Sequence, residues 1–224
     1  TKSAQVKSAI IFASLASNKY SFISFNEYTR DHTERMMKSI GFDIIIEKKK
    51  VSVRKSTINK GFKLNVPGDI SNASFIIAAA MIIPDSNIII KNVLYNKTRN
   101  GFIDKLVEMG AKINIQNIVE VGCSELACDI HVEYTQSLVA VNVEGDEVIN
   151  MVDEIPIFCI VATQAEGISE IRNAEELKYK ESNRLLAMYT NLHNMNAEIY
   201  ESCDGLRIKG KIKLQGTSLN HFND

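Results

Sequence analysis

Two cations and a carboxylate crowd together in Lys180-Glu181-Ser182-Asn183-Arg184. If a helix has begun there, Lys180 and Arg184 stand about one turn apart and can face one anion. Glu181, between them, can move a proton. A solvated, charged helix start is the plain alternative. Further polar clusters occupy other predicted helix starts, where free backbone N–H groups and the helix dipole favour anions. Ser3 can cap the first helix and Gln5 can donate to a carboxylate or phosphate, with Ala4 between them. Arg30, in Thr29-Arg30-Asp31-His32, can grip a phosphate through two parallel N–H groups. The pair recurs as Thr98-Arg99, so an arginine that bridges elements at the same point of each repeat is the rival reading. Asp153-Glu154-Ile155-Pro156 sets two carboxylates before an apolar helix. Asp153 can cap that helix and still be positioned for chemistry. Gly68-Asp69-Ile70-Ser71 suits a bound phosphate or a capped crossover helix equally well.

Other chemistries find little support. His32, His131, His193 and His221 form no constellation, and neither a Walker-type loop nor a GxGxxG turn occurs. Cys123, Cys128, Cys159 and Cys203 make no CxxC pair and lie at no metal-ligand spacing. No metal and no cofactor are therefore expected. The thiols read as idle groups in a reducing cytosol, with a Cys123–Cys128 disulfide as a weakly supported alternative. A net charge of −1 in 224 residues gives no bulk reason to expect nucleic acid or membrane binding. No apolar run approaches the ~20 residues that span a bilayer. The start reads as lacking a signal peptide, and both ends read as cut, which makes the chain a fragment.

The elements that must position these groups repeat three times: a helix, a strand, a second helix and a β-hairpin. In the first copy, helices are predicted over 3–16 and 31–40, with strands over 20–25, 42–47 and 51–54. The second copy has helices over 71–83 and 101–109 and a strand over 87–93. Its hairpin has strands over 112–115 and from 119 onward, the latter continuing less clearly toward 132. The third has helices from 155 to near 167 and over 182–193, with strands over 168–172, 197–200 and 206–209. Asp204-Gly205 supplies a hairpin turn between the last two. The junctions Ile40-Gly41-Phe42, Met109-Gly110-Ala111 and Met195-Asn196-Ala197 fall at matching points. Asn65-Val66-Pro67-Gly68 is the one evident hinge. It places a boundary between 1–65, the last unit of one lobe, and 66–224, two units of another.

The ordered set Ser3-Ala4-Gln5-Val6-Lys7-Ser8, Arg30-Asp31-His32-Thr33-Glu34-Arg35-Met36, Pro67-Gly68-Asp69-Ile70-Ser71, Asp153-Glu154-Ile155-Pro156, Ala165-Glu166-Gly167 and Lys180-Glu181-Ser182-Asn183-Arg184 resembles the enolpyruvylshikimate-phosphate synthases. The resemblance covers nearly the whole chain. It implies an α+β (mixed α/β) fold of repeated βαβαββ units in a two-lobed alpha-beta prism, monomeric when complete. It implies transfer of the enolpyruvyl group of phosphoenolpyruvate to the 5-hydroxyl of shikimate 3-phosphate, between lobes that close. Ser3, Ala4, Gln5 and Arg30 would contact shikimate 3-phosphate, and Gln5 would also approach phosphoenolpyruvate. Asp153 would lie by the attacking hydroxyl, and Lys180 would bind shikimate 3-phosphate and assist proton transfer. Glu181 would exchange the proton at the enol methylene, and Arg184 would pair with phosphoenolpyruvate. Lys97 stands where the family usually has proline. The family's early Lys-Ser motif and its late His-Arg motif are not in the chain, so 224 residues alone are expected to be inactive. The rival readings are a UDP-N-acetylglucosamine enolpyruvyl transferase and a non-catalytic anion-binding fragment.

Overall fold

The computed structural model describes residues 3–26, 29–58 and 61–223. Lys2, in the first polar cluster, and Asp224, at the end read as cut, lie outside the described residues.

Three units follow one another. The first comprises α1 (Ala4–Ser14), β1 (Ser21–Ser24), α2 (His32–Ser39), β2 (Ile44–Glu47) and β3 (Lys50–Val53). The second comprises α3 (Ile70–Ile82), β4 (Asn87–Leu94), α4 (Gly101–Glu108), β5 (Lys112–Gly122) and β6 (Glu125–Glu133). A short helix, α5 (Asp146–Asn150), leads into α6 (Ile155–Ala162), β7 (Ile168–Ile171), α7 (Arg184–Asn194), β8 (Glu198–Glu201) and β9 (Leu206–Lys209). Each sheet places its last strand in the middle, in the orders β1-β3-β2, β4-β6-β5 and β7-β9-β8, with antiparallel neighbours. Isolated parallel bridges from Gly68 to Val93, from Val139 to Glu166 and from Val143 to Ile171 add extended backbone ahead of the first main helix of the second and third units. These bridges stand at the place of the leading strand of the βαβαββ order and were not visible in the sequence pattern.

The repeated junctions have one physical cause. Gly41, Gly110 and Asn196 all adopt a left-handed backbone, with φ of +94°, +91° and +66°. At each, the next residue's N–H reaches back to close the helix: Phe42 to the Met37 carbonyl, Ala111 to Leu106 and Ala197 to Leu192, at 3.0, 2.9 and 2.9 Å. This bond satisfies a carbonyl that the helix end would leave without a partner.

Two strands predicted in the second unit need correction. Residues 112–122 form one continuous strand, interrupted by a register shift between Gln116 and Val119. Its hairpin turns at Cys123 and Ser124, both at positive φ. Neither residue favours that conformation intrinsically, so the turn carries no local signal. Cys123 and Cys128 are free buried thiols, which excludes the disulfide between them. Burial pushes the Cys128 thiol up to about 11 and that of Cys159 to about 12, so both stay protonated.

Apolar side chains gather in two clusters. One belongs to the first unit and centres on Ile11, Met37, Val51 and Val53. The other is shared by the second and third units. Its axis is α6, Ile-Pro-Ile-Phe-Cys-Ile-Val-Ala, which buries Ile155, Phe158, Cys159, Val161 and Ala162. A helix so apolar must be enclosed, and α3 and α7 pack beside it. Among the described residues no helix is long and apolar enough to cross a membrane.

Gly205 sits where β9 passes β7, and a Cβ there would overlap the backbone carbonyl of Ile171. Gly205→Ala is expected to cost about 1–3 kcal/mol, as overpacking does when backbone cannot yield. Urea denaturation checks this; an unchanged midpoint would show that the strand slides freely.

Candidate active site

The start of α1, the segment before α2, the residues preceding α6 and the approach to α7 converge on one cavity of about 520 Å³. It is lined by Ser3, Ala4, Gln5, Thr29, Arg30, Ile149, Val152, Asp153, Glu176, Tyr179, Lys180 and Glu181. Seven residues singled out in the sequence thus meet in one place, although up to 178 positions separate them (3 to 181).

Local structure explains the placement of each. Ser3 caps α1: its extended backbone turns the side chain to accept from the Val6 N–H at 3.3 Å. That leaves Ala4 and Gln5 in the first turn, at the cavity wall. Arg30 stands just before Asp31, the N-terminal flanking residue of α2, and its guanidinium pairs with the Asp153 carboxylate. Asp153 does not cap α6, contrary to the simplest sequence reading; Glu154 occupies that position, with no side-chain capping bond. Asp153 instead accepts from Arg30 and, at 3.2 Å, from Arg184 Nη1. Arg184 also donates to Glu181 Oε2 at 3.1 Å.

Lys180 and Arg184 are not one helical turn apart. A 3-10 turn over Glu175–Tyr179 ends at Lys180, whose backbone is extended, and α7 begins only at Arg184, capped by Asn183. Through-space geometry still joins them: Arg184 bonds Asp153, and Lys180 is close enough to act on the same carboxylate electrostatically. Lys180 Nζ also lies 3.4 Å from Glu176 Oε1. Glu176, which belongs to the same charged run in the sequence, was given no role there, although its i,i+4 spacing from Lys180 was a usable sign. Ile149 and Val152 come from α5 and the turn after it, for which the pattern gave no sign.

Burial opposes ionisation of Asp153, but the hydrogen bond and charge of Arg30, the hydrogen bond of Arg184 and the charge of Lys180 outweigh it, and the pKa is lowered. A carboxylate with a lowered folded pKa stabilises the fold above its ordinary pKa, and that contribution is lost as pH falls through the folded value. Asp153→Asn is therefore expected to destabilise most at neutral pH, with the gap to wild type narrowing below about pH 4. Denaturation at pH 7 and pH 3 measures this, and a gap independent of pH would refute it.

Arg99, the repeat equivalent of Arg30, lies outside the cavity. It is 13% exposed, lies 3.3 Å from Asp69 and donates to the Ser71 hydroxyl at 2.5 Å. Ser71 in turn donates to Glu154 Oε1 at 2.5 Å. Burial pushes the Glu154 pKa up, against the opposing pull of Ser71 and Arg99. Asp69 caps α3 by accepting from the Ser71 N–H at 3.1 Å. The Gly68-Asp69-Ile70-Ser71 segment is thus a capped helix start that the chain's own side chains occupy. Successive repeats deliver equivalent arginines to adjacent carboxylates, Arg30 to Asp153 and Arg99 to the Glu154 cluster. The four histidines stay away from the cavity lining; His32, for example, contacts Glu125 at 2.7 Å.

The family model described as EPSP synthase (3-phosphoshikimate 1-carboxyvinyltransferase) matches residues 1–224. The chain belongs to the EPSP synthase family. It is 43% identical over 225 residues to the 3-phosphoshikimate 1-carboxyvinyltransferase of Persephonella marina, covering 99% of this chain and 52% of that protein. The counterpart from Thermodesulfovibrio yellowstonii is 44% identical with the same coverage. The chain thus spans about half the length of the curated EPSP synthases it matches. The solved EPSP synthase of Acinetobacter baumannii superposes with a TM-score of 0.86 at 36% identity, over 94% of this chain and 47% of that one. The enolpyruvyl transferase NikO from Streptomyces tendae shares the fold, with a TM-score of 0.66 at 14% identity. Together these fix an enolpyruvyl transferase fold for this member of the EPSP synthase family.

Proposed function

We propose that a polypeptide carrying this chain at the family's length transfers the enolpyruvyl group of phosphoenolpyruvate to the 5-hydroxyl of shikimate 3-phosphate, releasing phosphate. In this reading residues 1–65 close one lobe, 66–224 supply two units of the other, and the cavity between them holds both substrates. The observation that carries it is a single carboxylate, Asp153, in a cavity that also contains Arg30, Lys180 and Glu181; Arg30 bonds it from the lining and Arg184 from just outside.

Arg30, with Ser3, suits the phosphate of shikimate 3-phosphate. Arg184 suits phosphoenolpyruvate, with Gln5 in the cavity lining. Glu181 delivers a proton to the methylene carbon, which makes C2 electrophilic. The 5-hydroxyl oxygen adds to C2 as Asp153 draws off its proton and Lys180 assists. The resulting tetrahedral intermediate expels phosphate, while Glu181 recovers a proton from the new methyl group and the vinyl ether forms. An anion that engages Arg30 and Arg184 also draws positive charge away from Asp153 and so raises its basicity when the hydroxyl arrives. Positioning two polyanions among fixed cations supplies the remainder.

The experiment is phosphate release by the family-length polypeptide with phosphoenolpyruvate and either shikimate 3-phosphate or UDP-N-acetylglucosamine. Turnover with shikimate 3-phosphate alone is expected. Turnover only with the nucleotide sugar would keep the reaction and overturn the acceptor. Residues 1–224 by themselves, half of that length, are expected to show none.

A further inference from the structure

Lys7 is an unusual core residue. It is 3% exposed and pairs at 2.6 Å with Glu34, which is 2% exposed. Its Nζ also donates to the Arg30 carbonyl at 2.8 Å, approaches the Thr29 carbonyl at 3.5 Å and lies 5.1 Å from the centre of the Phe25 ring. Taking both charges from water is costly, and apolar side chains of the same volume often serve a core as well or better. The pair's position gives it another use. Lys7 lies one turn beyond Ser3–Gln5 on α1, and Glu34 stands in the first turn of α2, just after Arg30. Together they tie the two segments that form the first unit's side of the cavity, and the tie ends on the backbone of the residue whose guanidinium reaches Asp153.

We infer that Lys7 and Glu34 are positioning residues for Arg30, fixing its backbone so that its guanidinium meets the phosphate of the acceptor. The inference rests on the functional reading above for the identity of that phosphate, but not for the placement of Arg30. Lys7 and Glu34 touch no cavity surface and act only through their neighbours. The buried Lys7 Nζ holds a carbonyl at the cavity edge, and Glu34, 2.6 Å away, keeps it aimed.

The decisive variant is Lys7→Met with Glu34→Gln in the family-length polypeptide, which removes both charges without leaving one buried alone. Its crystal structure should show the Arg30 carbonyl displaced and the Arg30 guanidinium no longer bonded to Asp153. Its KM for shikimate 3-phosphate should rise about tenfold with little change for phosphoenolpyruvate, a split that general loosening would not give. Combined with Arg30→Lys, the effects on KM should be less than multiplicative, as expected of groups acting through one another. Should the double variant fail to fold, Glu34→Asp, which keeps both charges and only shortens the tie, decides, with an expected rise of about threefold in the same KM. Arg30 unmoved on Asp153, or an unchanged KM in a folded variant, would overturn the inference. Absence of turnover in the wild type would sink the functional reading instead, and the position of Arg30 in the variant would still decide this one.

Discussion

Glutamine in place of Glu181 is expected to lower kcat by about 10²–10⁴-fold, the usual worth of a positioned acid–base group. The substitution keeps the size of the side chain and an oxygen for the Arg184 N–H, now 3.1 Å away, but removes the group proposed to carry the methylene proton. KM for phosphoenolpyruvate should change little, since the amide keeps the shape of the side chain and its bond to Arg184. Stability should hold within about 0.5 kcal/mol, because the side chain is 68% exposed. Phosphate release gives the rate, and exchange of the methylene protons in D₂O, followed by NMR, isolates the proton step. Wild-type exchange in the variant would move that role to another group, with Lys180 the nearest candidate.

The largest stability effect should come from Phe158→Ala. Phe158 is wholly buried on α6, between the second and third units. Removing a buried phenyl ring typically costs about 3–5 kcal/mol, as lost transfer free energy plus the cavity left behind. Neighbours on either side restrict collapse, since α3 and α7 flank α6. That is a large share of the ~5–15 kcal/mol that holds most domains together. A urea midpoint lowered at unchanged slope is the expected record; a loss under ~1 kcal/mol would mean that the core repacks. Because Asp153 lies five residues upstream on the same segment, activity should fall with stability.

Features that depend on neighbours in sequence were legible before the structure. Gly41, Gly110 and Asn196 announced three helix ends because a left-handed residue there is demanded by chemistry within a single turn. The helix start at Ser3 was legible for the same reason, as its cap needs only Val6. Long-range relations were not. Cys123 and Ser124 turn a hairpin that their side chains do not favour, held by the pairing of β5 with β6 on both sides. Asp153 looked like a cap because capping is local, whereas the arginines that claim it come from 123 residues before it and 31 after. Arg30 and Arg99 share the same local Thr-Arg pattern, the family resemblance singled out only Arg30, and their surroundings show one on a cavity wall and the other in a buried bridge.

That separation bears on how a repeated architecture acquires chemistry. The units present arginine at one equivalent position, and two consecutive carboxylates receive them. In the second unit the bridge to Asp69, Ser71 and Glu154 commits the arginine to holding helices together. In the first, Arg30 joins two different units across a cavity and remains a third exposed, at 32%. Duplication thus leaves one copy as scaffold and its twin on a cavity wall, where the proposed acceptor would meet it. Arg99 is bound by the demands of folding, while Arg30 is the one that the proposed reaction would use. Variation among related chains should therefore track overall architecture at the former and acceptor chemistry at the latter.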